Sequence, residues 1–319
     1  LFRSALHRAV HLARANPDGR ILLATFSDTL AHALRIKLRR LISNTPMLGE
    51  RVEVHAMNAV GERLYELQFG RPRLATMDEI RGLLDAAAAA HPEHRFSASF
   101  LLSEWQDVVD GWQLDSWESY RDVQRLGRKT RLPEARRALL WSIYQAVRAE
   151  LQQRGWTTHA GMFGRLADEL PGRRHPPFDF AVIDEAQDIN VAQLKFLAAL
   201  GAGRPNALFF AGDLGQRIVQ QPVSGKSLGV DIRGRSRTLH INYRTSHHIR
   251  MQADRLLAPK VSDVDGNVEE RRGTVSVFNG PAPTVGSFPS ADVESAAVGD
   301  WLRQRIEDGM APQELGVFV

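Results

Sequence analysis

The sequence contains no cysteine. That excludes disulfides, a thiolate nucleophile and any cysteine-ligated zinc or iron–sulfur centre, and it fits a reducing compartment, so a cytoplasmic location is expected. Long apolar runs are missing too: nothing approaches the roughly 20 residues of a membrane-spanning helix, and the first residues lack the charged-then-apolar pattern of a signal peptide. No membrane partner is expected. Neither sign of charge dominates, since 41 Lys and Arg face 37 Asp and Glu and leave a net charge of +4. Such a balance is compatible with nucleic acid without demanding it. The 11 histidines show no paired metal-ligand spacing beside acids, and His247-His248 reads as a helix start rather than a zinc site. No metal cluster is expected.

What is present is a patterned chain of 319 residues, enough for two or three domains with real cores. Residues 1–18 carry Leu6, Val10 and Ala13 at helical spacing and stop at the turn signal Asn16-Pro17-Asp18-Gly19. Residues 21–26 read as a buried strand, with Ser27 or Asp28 capping a helix over 30–42. Residues 51–56 alternate like a second strand, and 57–67 follow as a helix. Strand–helix–strand–helix order is the signature of a parallel sheet covered by helices. From about 76 to 170 strand signals vanish and amphipathic helices take over, at 77–90, 97–109, 116–126 and 133–154. Strands resume at 180–184, 207–213 and 237–241, followed by a polar loop over 262–272. A last unit holds a strand at 274–278, a helix at 292–308 and a final strand at 315–319. The chain starts at Leu1 and ends in this strand-like segment, so a longer parent protein is expected.

The stretch with the clearest chemistry runs Phe180-Ala181-Val182-Ile183-Asp184-Glu185-Ala186-Gln187-Asp188. A buried strand ends there in two adjacent carboxylates, at the strand end where open α/β sheets bind ligands. Asp184 offers an oxygen for Mg²⁺, and Glu185 a base for an attacking water. The plainer alternative is an ordinary strand-to-helix turn with Asp188 as N-cap. The same theme recurs at Gly212-Asp213 with Gln216 beyond it, where a carboxylate and an amide suit sensing of a phosphate or its metal. Asn242-Tyr243-Arg244 follows the next strand: Arg244 can neutralise charge on a transferring phosphoryl group and Tyr243 can stack on a base.

Taken together, Asp184-Glu185-Ala186-Gln187-Asp188, then Gly212-Asp213 with Gln216 and Ile218, then Asn242-Tyr243-Arg244-Thr245-Ser246 resemble motifs II, III and IV of superfamily 1 helicases of the UvrD/Rep type. Earlier, Ala24-Thr25-Phe26-Ser27-Asp28-Thr29-Leu30-Ala31 resembles motif Ia, and His55-Ala56-Met57-Asn58 sits where motif Ib is expected. The helical stretch between Glu104 and Trp141 resembles that family's 1B domain, so the likeness covers nearly the whole chain. It implies an α/β fold of RecA-like, P-loop NTPase type: a parallel sheet with an inserted all-helical domain and the start of a second RecA-like domain. The implied boundaries are 1–75 and 171–257 for domain 1A, 76–170 for the helical insertion 1B, and 258–319 for the start of domain 2A.

The resemblance implies an ATP-dependent DNA helicase that couples Mg-ATP hydrolysis to movement on single-stranded DNA and to duplex unwinding. Asp184 would bind Mg²⁺ and Glu185 would activate water. Gln216 would contact the γ-phosphate and the water, Arg244 the γ-phosphate, and Tyr243 would stack on adenine. Thr25, Phe26 and Ser27 would line the single-stranded DNA track, with His55 and Asn58 near its continuation. The expected partners are single-stranded DNA and single-strand/duplex junctions, the cofactors ATP and Mg²⁺, and the protein a monomer. The sequence departs from the pattern in two places. These 319 residues hold no G-x-x-x-x-G-K-[ST] loop, because Ser224-Gly225-Lys226-Ser227 has Gln220 where the pattern needs glycine. Val219 stands where the family has an aromatic. Residues 1–319 alone are therefore expected to turn over little ATP, and an ATPase-deficient nucleic-acid-binding or interaction module derived from a helicase is the alternative.

Two features admit a plain structural explanation. The basic positions Arg121, Arg125, Arg128, Lys129, Arg131, Arg136 and Arg137 suit duplex phosphates or a solvated helix face equally. Trp105, Trp112 and Trp117 share no helical spacing, and core packing of the helical region is expected.

Overall fold

The computed structural model describes residues 2–123, 132–213, 226–230, 234–256, 260–262, 268–270 and 273–318. The chain divides into two compact units, residues 1–238 with 260–270, and residues 239–259 with 271–319.

In the first unit α1 (Phe2–Ala15) leads into β1 (Ile21–Thr25), α2 (Asp28–Leu41), β2 (Val52–Ala56) and α3 (Met57–Phe69). A helical section follows: α4 (Met77–Ala89), α5 (Ala98–Glu104), α6 (Trp117–Asp122), α7 (Glu134–Gln153) and α8 (His159–Glu169). Then come β3 (Phe180–Ile183), α9 (Val191–Gly201) and β4 (Leu208–Phe210). The four strands form one all-parallel sheet in the order β2-β1-β3-β4, with Leu23 beside Val182 and Ala24 beside Ile183. The chain moves outward one way to β2 and the other way to β4. The order therefore reverses between β1 and β3, the switch point at which such sheets open a crevice at their carboxyl ends.

The central strands β1 and β3 are almost wholly apolar because both faces are covered, whereas the edge strand β2 alternates, with Glu53 and His55 half-buried. Ile21, Leu23 and Val182 pack with α1 and α2, whereas Leu22, Ala24, Ala181 and Ile183 pack with α3, α8 and α9. Gly61 makes the α3–α8 crossing possible: a Cβ there would come within 2.5 Å of Phe163. The helical section has its own core around Trp105, Tyr120, Leu140 and Tyr144. Trp105 is buried and Trp112 and Trp117 pack against that core, as expected of structural tryptophans. A π-helical turn over Trp105–Asp110 carries the chain toward Asp110, which accepts hydrogen bonds from Thr158 Oγ1 (2.7 Å) and Gln113 Nε2 (2.9 Å). Burial outweighs those bonds and pushes the Asp110 carboxyl up to about 6.

In the second unit β5 (Ile241–Asn242) precedes α10 (His247–Asp254). β6 (Lys260–Ser262) and β7 (Val268–Glu270), which pair antiparallel, belong to the first unit. β8 (Val275–Ser276) then pairs parallel with β5, and α11 (Ala291–Glu307) follows in the second unit. Three sequence expectations need correction here. The strand expected over 237–241 is reduced to Ile241–Asn242, the length its pairing with β8 supports. Part of the loop expected over 262–272 is the β6–β7 ladder. Residues 315–318 form no strand, since none of the described strands pairs with them.

Candidate functional site

The acidic turn after β3 is pinned from both sides. The Asp184 amide donates to the Ala24 carbonyl of β1 (2.8 Å), and the Ala186 amide donates to the Ala211 carbonyl beyond β4 (2.9 Å). These bonds carry the sheet pairing past its last regular residues and hold the two carboxylates at the switch point. Glu185 takes the left-handed conformation, φ 53° and ψ 46°. That costs a non-glycine residue roughly 1–2 kcal/mol, and strain of this kind concentrates where geometry serves chemistry. Helix α9 starts only after this turn. Its N-cap is Asn190, in a capping box with Gln193, and not Asp188. Asp188 is therefore not the cap of α9.

Asp184 is buried, and neither of its carboxylate oxygens has a hydrogen-bond partner among the described residues. Burial first, and the neighbouring Glu185 charge second, push its carboxyl up to about 6. Burial and Glu185 likewise raise Asp188. A buried carboxylate left without donors fits a hard divalent cation, which takes oxygen ligands and would reverse this upward push. Glu185 is held differently. Gln187, itself buried, donates from Nε2 to Glu185 Oε2 (2.7 Å) and accepts at Oε1 from the Asp213 amide (3.1 Å). The Gln187 side chain thus ties the acidic turn to the end of β4. Gly212 is required there, because a Cβ would come within 2.8 Å of Gln187 Oε1 and 3.2 Å of the Ala186 nitrogen.

The other expected site residues are distributed unevenly. Thr25 lies buried at the end of β1, Phe26 beside it is exposed, and Ser27 caps α2 by accepting from the Leu30 amide (3.3 Å). His55 is half-buried and meets Glu53 (3.4 Å); burial, then the Arg63 charge, push its pKa down. Asn58 Oδ1 accepts from Gln193 Nε2 (3.0 Å), which links the start of α3 to the start of α9. Tyr243 and Arg244 are exposed in the second unit. They are placed by Asn242, whose Oδ1 accepts from the amides of Arg244 (2.9 Å) and Thr245 (3.0 Å). Gln216 lies outside the described residues, as do Val219, Gln220 and, in the basic stretch, Arg125, Arg128, Lys129 and Arg131. Arg121 pairs with Asp122 (2.8 Å) and Arg137 donates to the Arg121 carbonyl, so these two arginines are partly engaged within the protein. A hollow of about 440 Å³ lined by Asn16, Asp179, Phe180 and Arg204 lies at the amino ends of β1 and β3, the edge opposite Asp184.

Sequence reasoning missed two roles. Gln187 was an amide in an acidic stretch, and only the neighbouring strand end shows what it bridges. Asn242 carried a local signal, since asparagine two and three residues before amides that need an acceptor is an Asx-turn pattern.

The parallel sheet makes this an α/β protein, with two adjacent acids at its switch point. The family follows from comparison with known proteins. The model of the UvrD/REP helicase N-terminal domain matches residues 5–220, and the chain belongs to that family. No curated protein matches it.

Proposed function

We propose that the protein is an ATP-dependent DNA helicase that couples Mg-ATP hydrolysis to movement on single-stranded DNA and duplex separation. The observation that carries this reading is the pair Asp184–Glu185: one carboxylate buried without hydrogen-bond partners among the described residues, the other in a left-handed turn and bonded by Gln187. Family membership supports a helicase in general terms. Asp184 is the group that would hold Mg²⁺, which when bound supplies charge neutralisation at the transferring phosphoryl group. Glu185 Oε1 orients the attacking water and takes its proton. Gln187 fixes that oxygen by engaging the other one. Gln216 and Arg244 are assigned to the γ-phosphate and Tyr243 to the adenine.

On the nucleic-acid side, Phe26 is 62% exposed, enough for a base to stack on it. Ser27, His55 and Asn58 line the same strand-end region, although each side chain already has an internal partner. We assign the sheet of the first unit to a RecA-like domain 1A, the helical section to an inserted domain 1B and the last residues to the beginning of domain 2A.

The test is DNA-stimulated ATP turnover by the full-length protein with Glu185→Gln alongside. Loss of a general base costs about 10²–10⁴-fold in turnover, and folding should be unaffected because the amide keeps the shape. Turnover that survives the substitution would overturn the assignment of Glu185.

A further inference from the structure

The family resemblance assigns Thr25 to the single-stranded DNA track, and its burial raises another possibility. It is the last residue of β1, only 1% exposed, and its hydroxyl has no hydrogen-bond partner among the described residues. The parallel register pairs Ala24 with Ile183, so Thr25 lies level with Asp184 one step further on. Side chains alternate along a strand. Leu23 and Val182 share the sheet face covered by α1 and α2, so Thr25 and Asp184, two residues further along each strand, share it as well. The register therefore brings level, at the switch point, three buried oxygens without partners among the described residues: the Thr25 hydroxyl and both oxygens of Asp184. Buried polar atoms are satisfied almost everywhere in folded proteins, and an orphan calls for a ligand.

We propose that Thr25 belongs to the divalent-cation site rather than to the nucleic-acid track. Its hydroxyl forms, with the Asp184 carboxylate, the protein wall that faces the cation and its water shell. This rests on the reading of Asp184 as the cation's carboxylate. A small hard cation such as Mg²⁺ keeps several waters and is held by one or two carboxylates with neutral oxygens around it. A threonine hydroxyl supplies such an oxygen and can donate its own hydrogen to the carboxylate. The β-branched side chain at a strand end fixes that oxygen in place.

The experiment titrates the free protein with Mn²⁺ alone, following loss of the free-ion electron paramagnetic resonance signal, for wild type, Thr25→Val, Thr25→Ser and Asp184→Asn. Valine matches threonine in shape and lacks the hydroxyl. Thr25→Val should weaken Mn²⁺ binding about tenfold, the scale of a lost supporting contact at a metal site, while its thermal midpoint is equal to or above wild type. Thr25→Ser should keep binding close to wild type. If Thr25→Val binds as wild type while Asp184→Asn does not, Thr25 is excluded and Asp184 stands. If Thr25→Ser is as weak as Thr25→Val, the hydroxyl is not the active feature and the proposal fails. If wild type binds no better than Asp184→Asn, both the proposal and the reading beneath it fall.

Discussion

The two units hold their candidate residues by opposite means. In the first, Asp184 and Glu185 are fixed by the sheet itself: backbone bonds to Ala24 and Ala211 on either side, the Gln187 bridge, and a glycine that leaves room for it. In the second, Tyr243 and Arg244 project from a two-stranded ladder into solvent, and the Asn242 side chain is what organises their turn. The first arrangement is costly to disturb, since many parts share the geometry. The second depends on local bonds and should tolerate change. Groups that must meet a charge in a defined place benefit from rigid support, whereas exposed groups that clamp a ligand can be ordered by it.

That contrast can be broken most directly at Gly212. Gly212→Ala forces a methyl against Gln187 and the Ala186 nitrogen, so it should destabilise the protein by about 1–3 kcal/mol and release Glu185. Urea unfolding would measure the first effect and ATP turnover the second. A variant with unchanged stability would show that the acidic turn is looser than its contacts indicate.

A second prediction uses pH to test the rigid interior away from the site. The Asp110 carboxyl is raised to about 6 in the folded protein, against 3.8 ordinarily, with burial as the main cause. A raised folded pKa means that its stabilising contribution is complete below about 3.8 and is lost as pH rises through about 6. Asp110→Asn carries no charge to bury, so its stability relative to wild type should improve as pH rises from 4 to 7.5. Thermal midpoints across that range would show the trend, and a constant difference would refute it.

The smallest stability effect is expected in the second unit. Tyr243 is 71% exposed, and exposed substitutions usually change stability by less than about 0.5 kcal/mol. Tyr243→Ala should leave the unfolding midpoint where it was and raise the KM for ATP in the full-length protein. A large loss of stability would mean that the ring is structural.

Much of the first unit was legible in sequence because parallel strands buried on both faces are uniformly apolar. Residues 21–25 and 180–183 announce themselves, as do the polar residues that end them. The helix after β1 was readable from its cap Ser27, whose side chain accepts from the amide three residues on, while the caps Thr76 and Ser116 emerge only from the structure. The second unit was read less well, with short strands such as Ile241–Asn242 defined by pairing more than by composition. Thr25 was legible as the end of a buried strand, but its level with Asp184 in the neighbouring strand follows only from the sheet register.

What the sequence determined alone was the main strands and helices of the first unit and the presence of paired acids after a buried strand, because apolar periodicity and helix caps are local properties. Tertiary structure decided which strand ends meet. Asp184 and Thr25 are 159 residues apart in the chain, and sequence separation says nothing about strand order. Sheet register sets their strand ends level with one another, and both side chains are buried. That combination, and not either residue type, leaves three oxygens without partners among the described residues at the end of the sheet.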